Sequence, residues 1–240
     1  MTRRRLGHAL AALVGLAAMA GPVQAQCRLA LALALDVSGS VNWQEYRLQI
    51  DGLANALEHP EVQQAIFVMP GEPVAIGVYE WSGPAYQREL VAWTELNGPA
   101  DLAAVTGRLR GVDRYGSDPS TAIGAAMAFG GRFLRNAPEC YRQVIDISGD
   151  GKSNTGPHPK EIELSWDVTI NALVVGGELI DPGELRHVGI GELQAYFRAF
   201  VIRGPEAFVE TAMGFREFED AMIRKLKREL QVLSLSDAKE

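Results

Sequence analysis

Seven apolar residues in a row, Leu29 to Leu35, run directly into Asp36-Val37-Ser38-Gly39-Ser40. A strand with one wet face alternates apolar and polar residues; this one does not, so it belongs in the middle of a sheet covered on both faces. Covering both faces takes helices that cross from strand to strand, which restricts the chain to a wound α/β architecture. Where the strand stops, one carboxylate and two hydroxyls leave a tight turn at its carboxyl end. Their oxygens lie close enough together to hold one hard cation. Two later segments can complete the cluster, Ser120-Thr121-Ala122-Ile123-Gly124 and Ile147-Ser148-Gly149-Asp150-Gly151.

Downstream, helical and extended patterns alternate. Trp43, Tyr46, Ile50, Leu53 and Leu57 keep the three- and four-residue steps of an amphipathic helix, ended by His59-Pro60. Val74–Trp81 is a second strand, and Glu89–Trp93, after the Ser82-Gly83-Pro84 turn, a third at an antiparallel edge. Ala100–Leu109 is a helix candidate. Ile123, Met127, Gly130 and Leu134 space another, with Pro138 beyond. Gln143–Ile147 and Val168–Val175 read as the fourth and fifth strands, with a short helix near Lys160–Trp166 between them. Ala207–Glu210 is a last strand, and Phe215, Phe218, Met222, Leu226 and Leu230 stripe a closing helix. The basic run Arg224–Arg228 is expected on that helix's solvated side. Gly176–Gly191 is the least regular stretch and is expected as a surface excursion. The order predicts a doubly wound, mostly parallel, Rossmann-like sheet with helices on both faces.

Residues 1–25 read as a signal peptide: Arg3, Arg4 and Arg5, the apolar stretch Leu10–Ala20, then Val23-Gln24-Ala25 before the cut. The expected mature chain, residues 26–240, is a single domain in the periplasm or secreted, and it has no apolar run of membrane length. Without the three arginines the formal charge falls from −7 to −10, which repels phosphate backbones and argues against nucleic acid as a partner. The two cysteines, Cys27 and Cys140, lie nine and ten residues before Asp36 and Asp150. If the two strands are parallel neighbours, both thiols meet at the opposite pole and form a disulfide in an oxidising compartment. Two buried free thiols are the alternative.

In open α/β sheets, ligands collect at the carboxyl ends of strands where the winding reverses. Asp36 ends the first strand and Asp150 follows the fourth, neighbours at the switch point in one common strand order. Asp36, Ser38, Ser40, Thr121 and Asp150 could therefore reach one spot. The set holds no His or Cys, so it suits Mg²⁺, Mn²⁺ or Ca²⁺ rather than zinc or copper. Three hydroxyls and two carboxylates leave such an ion with open positions, ready to accept a carboxylate from a partner.

These segments resemble the metal-ion-dependent adhesion site of von Willebrand factor A domains, over nearly the whole mature chain. Asp36-x-Ser38-x-Ser40 matches the first motif in full, and Thr121 with Met127 six residues on matches the second. Gly149-Asp150-Gly151 stands where that family has T-D-G, so Gly149 departs from the pattern. The chain is also similar to an exported bacterial family of this fold with no assigned role, around Glu80-Trp81-Ser82-Gly83 and Val201–Phe208. The resemblance implies a non-enzymatic, metal-dependent protein-binding domain. Its cation, Mg²⁺ first, would recognise an Asp or Glu of an unidentified protein ligand. Ser38, Ser40 and Thr121 would bind the ion directly, with Asp36 and Asp150 acting through water or by conformational state.

Other readings compete. Asp36, Ser38 and Ser40 also suit a helix N-cap turn. Asp118 and Ser120 read as loop residues, and Asp146 as structural within its strand. A haloacid-dehalogenase-like phosphatase also begins with a strand-end Asp and carries a late G-D-G. It needs a second acid where Ser38 stands. A Ser-His-Asp hydrolase fits worse: His59, His158 and His187 sit in loop-rich settings, and no Ser occupies an elbow motif. A metal-free scaffold is the remaining alternative. Trp81, Trp93, Tyr196 and Phe197 read as packing residues, with Trp81 near the metal face.

Overall fold

A computed structural model describes residues 27–165, 167–176 and 189–236. The signal peptide expected over 1–25 and residues 177–188 of the excursion expected over 176–191 lie outside the described residues. In chain order the elements are β1 (Cys27–Asp36), α1 (Trp43–Glu58), α2 (Pro60–Phe67), β2 (Val74–Trp81), β3 (Gln87–Leu96) and α3 (Pro99–Arg110). Then come α4 (Ile123–Leu134), β4 (Cys140–Gly149), β5 (Val168–Val175), α5 (Ile190–Phe200), β6 (Val209–Ala212) and α6 (Phe218–Ser236). The six strands form one sheet in the order β3-β2-β1-β4-β5-β6. All neighbours are parallel except β3, which runs antiparallel to β2 at the edge.

The opening run explains the layering. Leu29, Leu31, Leu33 and Leu35 face one core, shared with residues of α1, α2, α3 and α6. Ala30, Ala32 and Ala34 face the other, with α4 and α5. The small side chains on that second face leave room for Tyr79, Trp81, Phe133 and Phe197. Both faces of β1 are buried along its whole length, as the sequence pattern required.

Several details differ from expectation. His59-Pro60 does end α1, but Pro60 then starts α2, because proline at the first helical position gives up an N–H that has no partner anyway. The α5 helix, unforeseen from the pattern, buries Leu193 and Phe197. Near Lys160–Trp166 the described residues form only a 3₁₀ turn, Pro159–Glu161. The last strand lies two residues later than its pattern placed it.

The basic run is not all solvated. Lys225 is fully buried, with Nζ 2.7 Å from both Asp146 of β4 and Glu229. Glu229 also accepts from Asn171 of β5 at 2.7 Å. Asp146, as expected, is structural: it anchors α6 to the sheet.

Cys27 and Cys140 are register partners on β1 and β4 and form a disulfide, Cα to Cα 4.3 Å. It staples the amino ends of the two central strands, at the pole opposite Asp36.

Candidate metal centre

β1 and β4 are the adjacent strands from which the sheet winds outward both ways, so their carboxyl ends open onto a shared crevice. Asp36 is buried there, and its Oδ1 accepts from the Ser38 N–H at 2.8 Å. Gln49 of α1 donates to the Asp36 carbonyl at 2.9 Å, and the Val37 N–H donates to the Trp81 carbonyl at 2.8 Å, which fixes the strand end. The turn carries the buried Ser38 hydroxyl to within 3.2 Å of the exposed Ser40 hydroxyl. Ser40 donates to Asp150 Oδ1 at 2.8 Å, across 110 residues of chain. Ser38, Ser40 and Asp150 thus form one linked chain of oxygens, tied to the buried Asp36 carboxylate through the Ser38 N–H and wet at Ser40.

Thr121 arrives on a third loop, knitted to both others. The Gly39 N–H donates to the Pro119 carbonyl at 3.1 Å, and the Ala122 N–H to the Ser82 carbonyl at 2.8 Å. Asn154 Oδ1 accepts from the Thr121 N–H, and the Asn154 N–H donates to the Thr121 carbonyl, each at 2.9 Å. Ser153 adds a bond to the same carbonyl at 3.3 Å and accepts from the Ile123 N–H at 3.2 Å. The Thr121 hydroxyl lies beside Gly151, where a Cβ would stand 3.9 Å from it. Among the described residues, no hydrogen bond joins that hydroxyl to the other four.

Asp118 and Ser120 brace this loop. Asp118 Oδ1 accepts from the Ser120 N–H at 2.8 Å and its hydroxyl at 2.6 Å. Sequence reasoning missed Asn154 and Ser153, whose only signal was a polar run just after Gly149-Asp150-Gly151.

The floor explains the departure at Gly149. A Cβ there would meet the Phe197 ring at 3.2 Å, Asp36 Oδ2 at 3.4 Å and the Trp81 ring at 3.7 Å. Phe197 of α5, with Trp81, takes up the space a threonine side chain would need.

The electrostatics fit a cation. Burial raises the Asp36 carboxyl well above the usual carboxylate range, and Asp150 beside it raises it further. Burial also raises Asp150, against the Ser40 hydrogen bond, with the Glu45 charge adding to the rise. Asp36 Oδ2 is buried without a hydrogen-bond partner. Two neighbouring carboxylates that resist ionisation, one with an unpaired oxygen, are relieved by a positive charge between them. The donors are all oxygen, as a hard divalent ion requires. Among the described residues no three of His, Cys, Asp and Glu cluster in a way that could hold a metal.

A six-stranded, mostly parallel sheet with helices on both faces and this crevice at its switch point defines a von Willebrand factor A fold. The solved structures it resembles agree. Proximal thread matrix protein 1 from the mussel byssus matches with a TM-score of 0.58 at 16% identity, over 86% of this chain and 48% of that one. A second structure of that protein, described as having a zinc-occupied MIDAS motif, gives 0.55 at 17%, over 87% and 47%. A pilus adhesin from Lactobacillus rhamnosus GG gives 0.56 at 14%, over 86% and 30%. A von Willebrand factor type A protein from Catenulispora acidiphila gives 0.51 at 14%, over 85% and 43%. The chain spans less than half the length of each of these. The chain belongs to the family described as "Protein of unknown function (DUF1194)", whose model matches residues 26–234. No curated protein matches it.

Proposed function

We propose that this is an exported domain that binds a protein partner through a divalent cation, most naturally Mg²⁺. The observation that carries the reading is the buried, unpartnered Asp36 Oδ2 beside Asp150, at the head of a chain of hydroxyls leading to solvent. Asp36, Ser38, Ser40, Thr121 and Asp150 would hold the ion. When bound, it supplies a positive centre with open coordination positions that a partner's Asp or Glu can fill.

This chain's own residues do the rest. The Ser38 N–H aims the Asp36 carboxylate, Asn154 and Ser153 fix the Thr121 loop, and the Trp81–Phe197 floor keeps water from beneath. The pilus adhesin among the structural neighbours supports the reading, as does the zinc-occupied MIDAS motif of the byssus protein. No helix among the described residues is long and apolar enough to cross a membrane.

A phosphotransferase is disfavoured on chemical grounds. The acid it needs two residues after Asp36 is Ser38, a hydroxyl that is a poor proton donor at neutral pH. A metal-free scaffold would leave Asp36 as a buried acid beside Asp150 with hydrogen bonds but no positive charge to offset it.

The test is affinity capture from the native envelope with wild type and Asp36→Ala, each in Mg²⁺ and in chelator. A partner held only by wild type and only in Mg²⁺ supports the proposal. The same partner held by Asp36→Ala with undiminished Mg²⁺ dependence contradicts it.

A further inference from the structure

Among the described residues, five large hydrophobic side chains are strongly exposed, and two of them, Trp43 and Tyr115, belong to segments packed around the candidate cation pocket. Trp43 opens α1 three residues beyond Ser40 and stacks on Tyr46, ring centres 6.0 Å apart. Arg114 lies over the same Tyr46 ring at 5.6 Å. Its Nη2 donates to the Val37 carbonyl at 3.4 Å. That carbonyl belongs to the peptide unit whose other end, the Ser38 N–H, donates to Asp36 Oδ1 at 2.8 Å.

Arg114 and the Asp36 carboxylate therefore flank one peptide group from opposite sides. The two hydrogen bonds of 3.4 and 2.8 Å, plus the width of that group, put them no more than about 8 Å apart. Next to Arg114, Tyr115 is 70% exposed, and its ring lies 5.1 Å from the Arg88 guanidinium. Arg88 is neutralised by Glu80 at 2.8 Å, whereas Arg114 forms no ion pair among the described residues.

A half-buried arginine with no carboxylate, over the Tyr46 ring on which the exposed Trp43 also stacks, has the make-up of a binding hot spot. Arginine's planar fork suits a carboxylate. In an extended chain, alternate side chains on one face stand about 7 Å apart, which lies within the bound that the shared peptide group sets between Asp36 and Arg114. We propose that Arg114, lying over the Tyr46 ring and next in sequence to the exposed Tyr115, is a second carboxylate subsite. The partner presents an extended segment with two acidic residues two positions apart, one for the cation and one for Arg114. This rests on the cation reading above and names the chemistry of its ligand.

Calorimetric titration of the mature protein with three synthetic peptides tests it. One is acetyl-Gly-Asp-Gly-Asp-Gly-amide; the others replace one or the other Asp by Asn. In excess Mg²⁺ the doubly acidic peptide should bind about tenfold tighter than either single-acid peptide, a charge-assisted contact beyond the twofold that counting alone allows. Arg114→Gln should bring the ratio down to about twofold, and Arg114→Lys, which keeps the charge without the fork, should fall between. Tyr115→Ser, at an exposed position that leaves folding untouched, should weaken all three peptides by about threefold. A wild-type ratio of twofold or less, or an unchanged ratio in Arg114→Gln, overturns the second subsite. Binding that ignores chelator contradicts the cation reading itself, so the two failures are told apart.

Discussion

Replacing Lys225 with methionine keeps the stem that packs α6 on the sheet and deletes the one buried cation between Asp146 and Glu229. Both carboxylates sit 2.7 Å from Nζ in a closed interior. Burial alone would lower the Lys225 pKa, but these two neighbours carry it above its ordinary value. Asp146 is raised by burial to about 7 even with Lys225 pulling it down. Removing one member of such a cluster costs about 3–5 kcal/mol, because the acids left behind are buried without a counter-charge. For a domain of this size that is a fall in Tm of roughly 6–20 °C.

The loss depends on pH with a definite sign. A carboxyl whose folded pKa lies above its unfolded one keeps a proton that the unfolded chain has released, so stability falls as pH rises. In wild type, the Asp146 contribution to that fall runs from the ordinary carboxylate range up to about 7 and then ends. In Lys225→Met it continues above 7, at about 1.4 kcal/mol per pH unit for each proton retained. Urea unfolding of both proteins at pH 5.5 and 8.0 measures the difference. A gap below about 1 kcal/mol, or one equal at both pH values, would refute the reasoning, since a buried ion cluster must show both the cost and the slope.

Serine at both Cys27 and Cys140 should cost about 4–5 kcal/mol on the chain-entropy model for a sequence separation of 113, read as a lower melting temperature under oxidising conditions; an unchanged melt contradicts it. Gly124→Ala places a methyl group 2.1 Å from the Pro157 carbonyl and must displace the loop that positions Thr121. It should weaken divalent-ion affinity at least tenfold by calorimetry, and equal affinity would show that the loop does not matter to the ion. In chelator, Asp36→Asn should melt above wild type, because it removes a buried acid that resists ionisation. A lower melt would mean the carboxylate is already satisfied without metal.

The central place of β1 beside β4, the antiparallel edge strand β3 and the disulfide pairing were legible because each rests on a local pattern. An unbroken apolar strand belongs in the centre of a sheet, and cysteines nine and ten residues before two site aspartates meet when their strands are parallel neighbours. α5 was missed although Ile190, Leu193, Phe197 and Phe200 keep helical steps, because Gly189 and Gly191 interrupt its start. Lys225 misled because charge in a terminal helix usually faces water; its partner Asp146 lies on a strand 79 positions away in sequence, which no periodicity reveals. The role of Asn154 was hidden for a similar reason. Its two bonds to Thr121 cross 33 residues, and a polar run gives no sign of which member will make them.

Electron paramagnetic resonance of Mn²⁺ added to the mature protein counts the ions it holds and tests the five-oxygen site directly. The account predicts one bound Mn²⁺ per chain, displaced by excess Mg²⁺, and none in Asp36→Ala or in the pair Ser40→Ala with Thr121→Ala. A spectrum of free Mn²⁺ only, or a bound ion that survives both sets of substitutions, would contradict it.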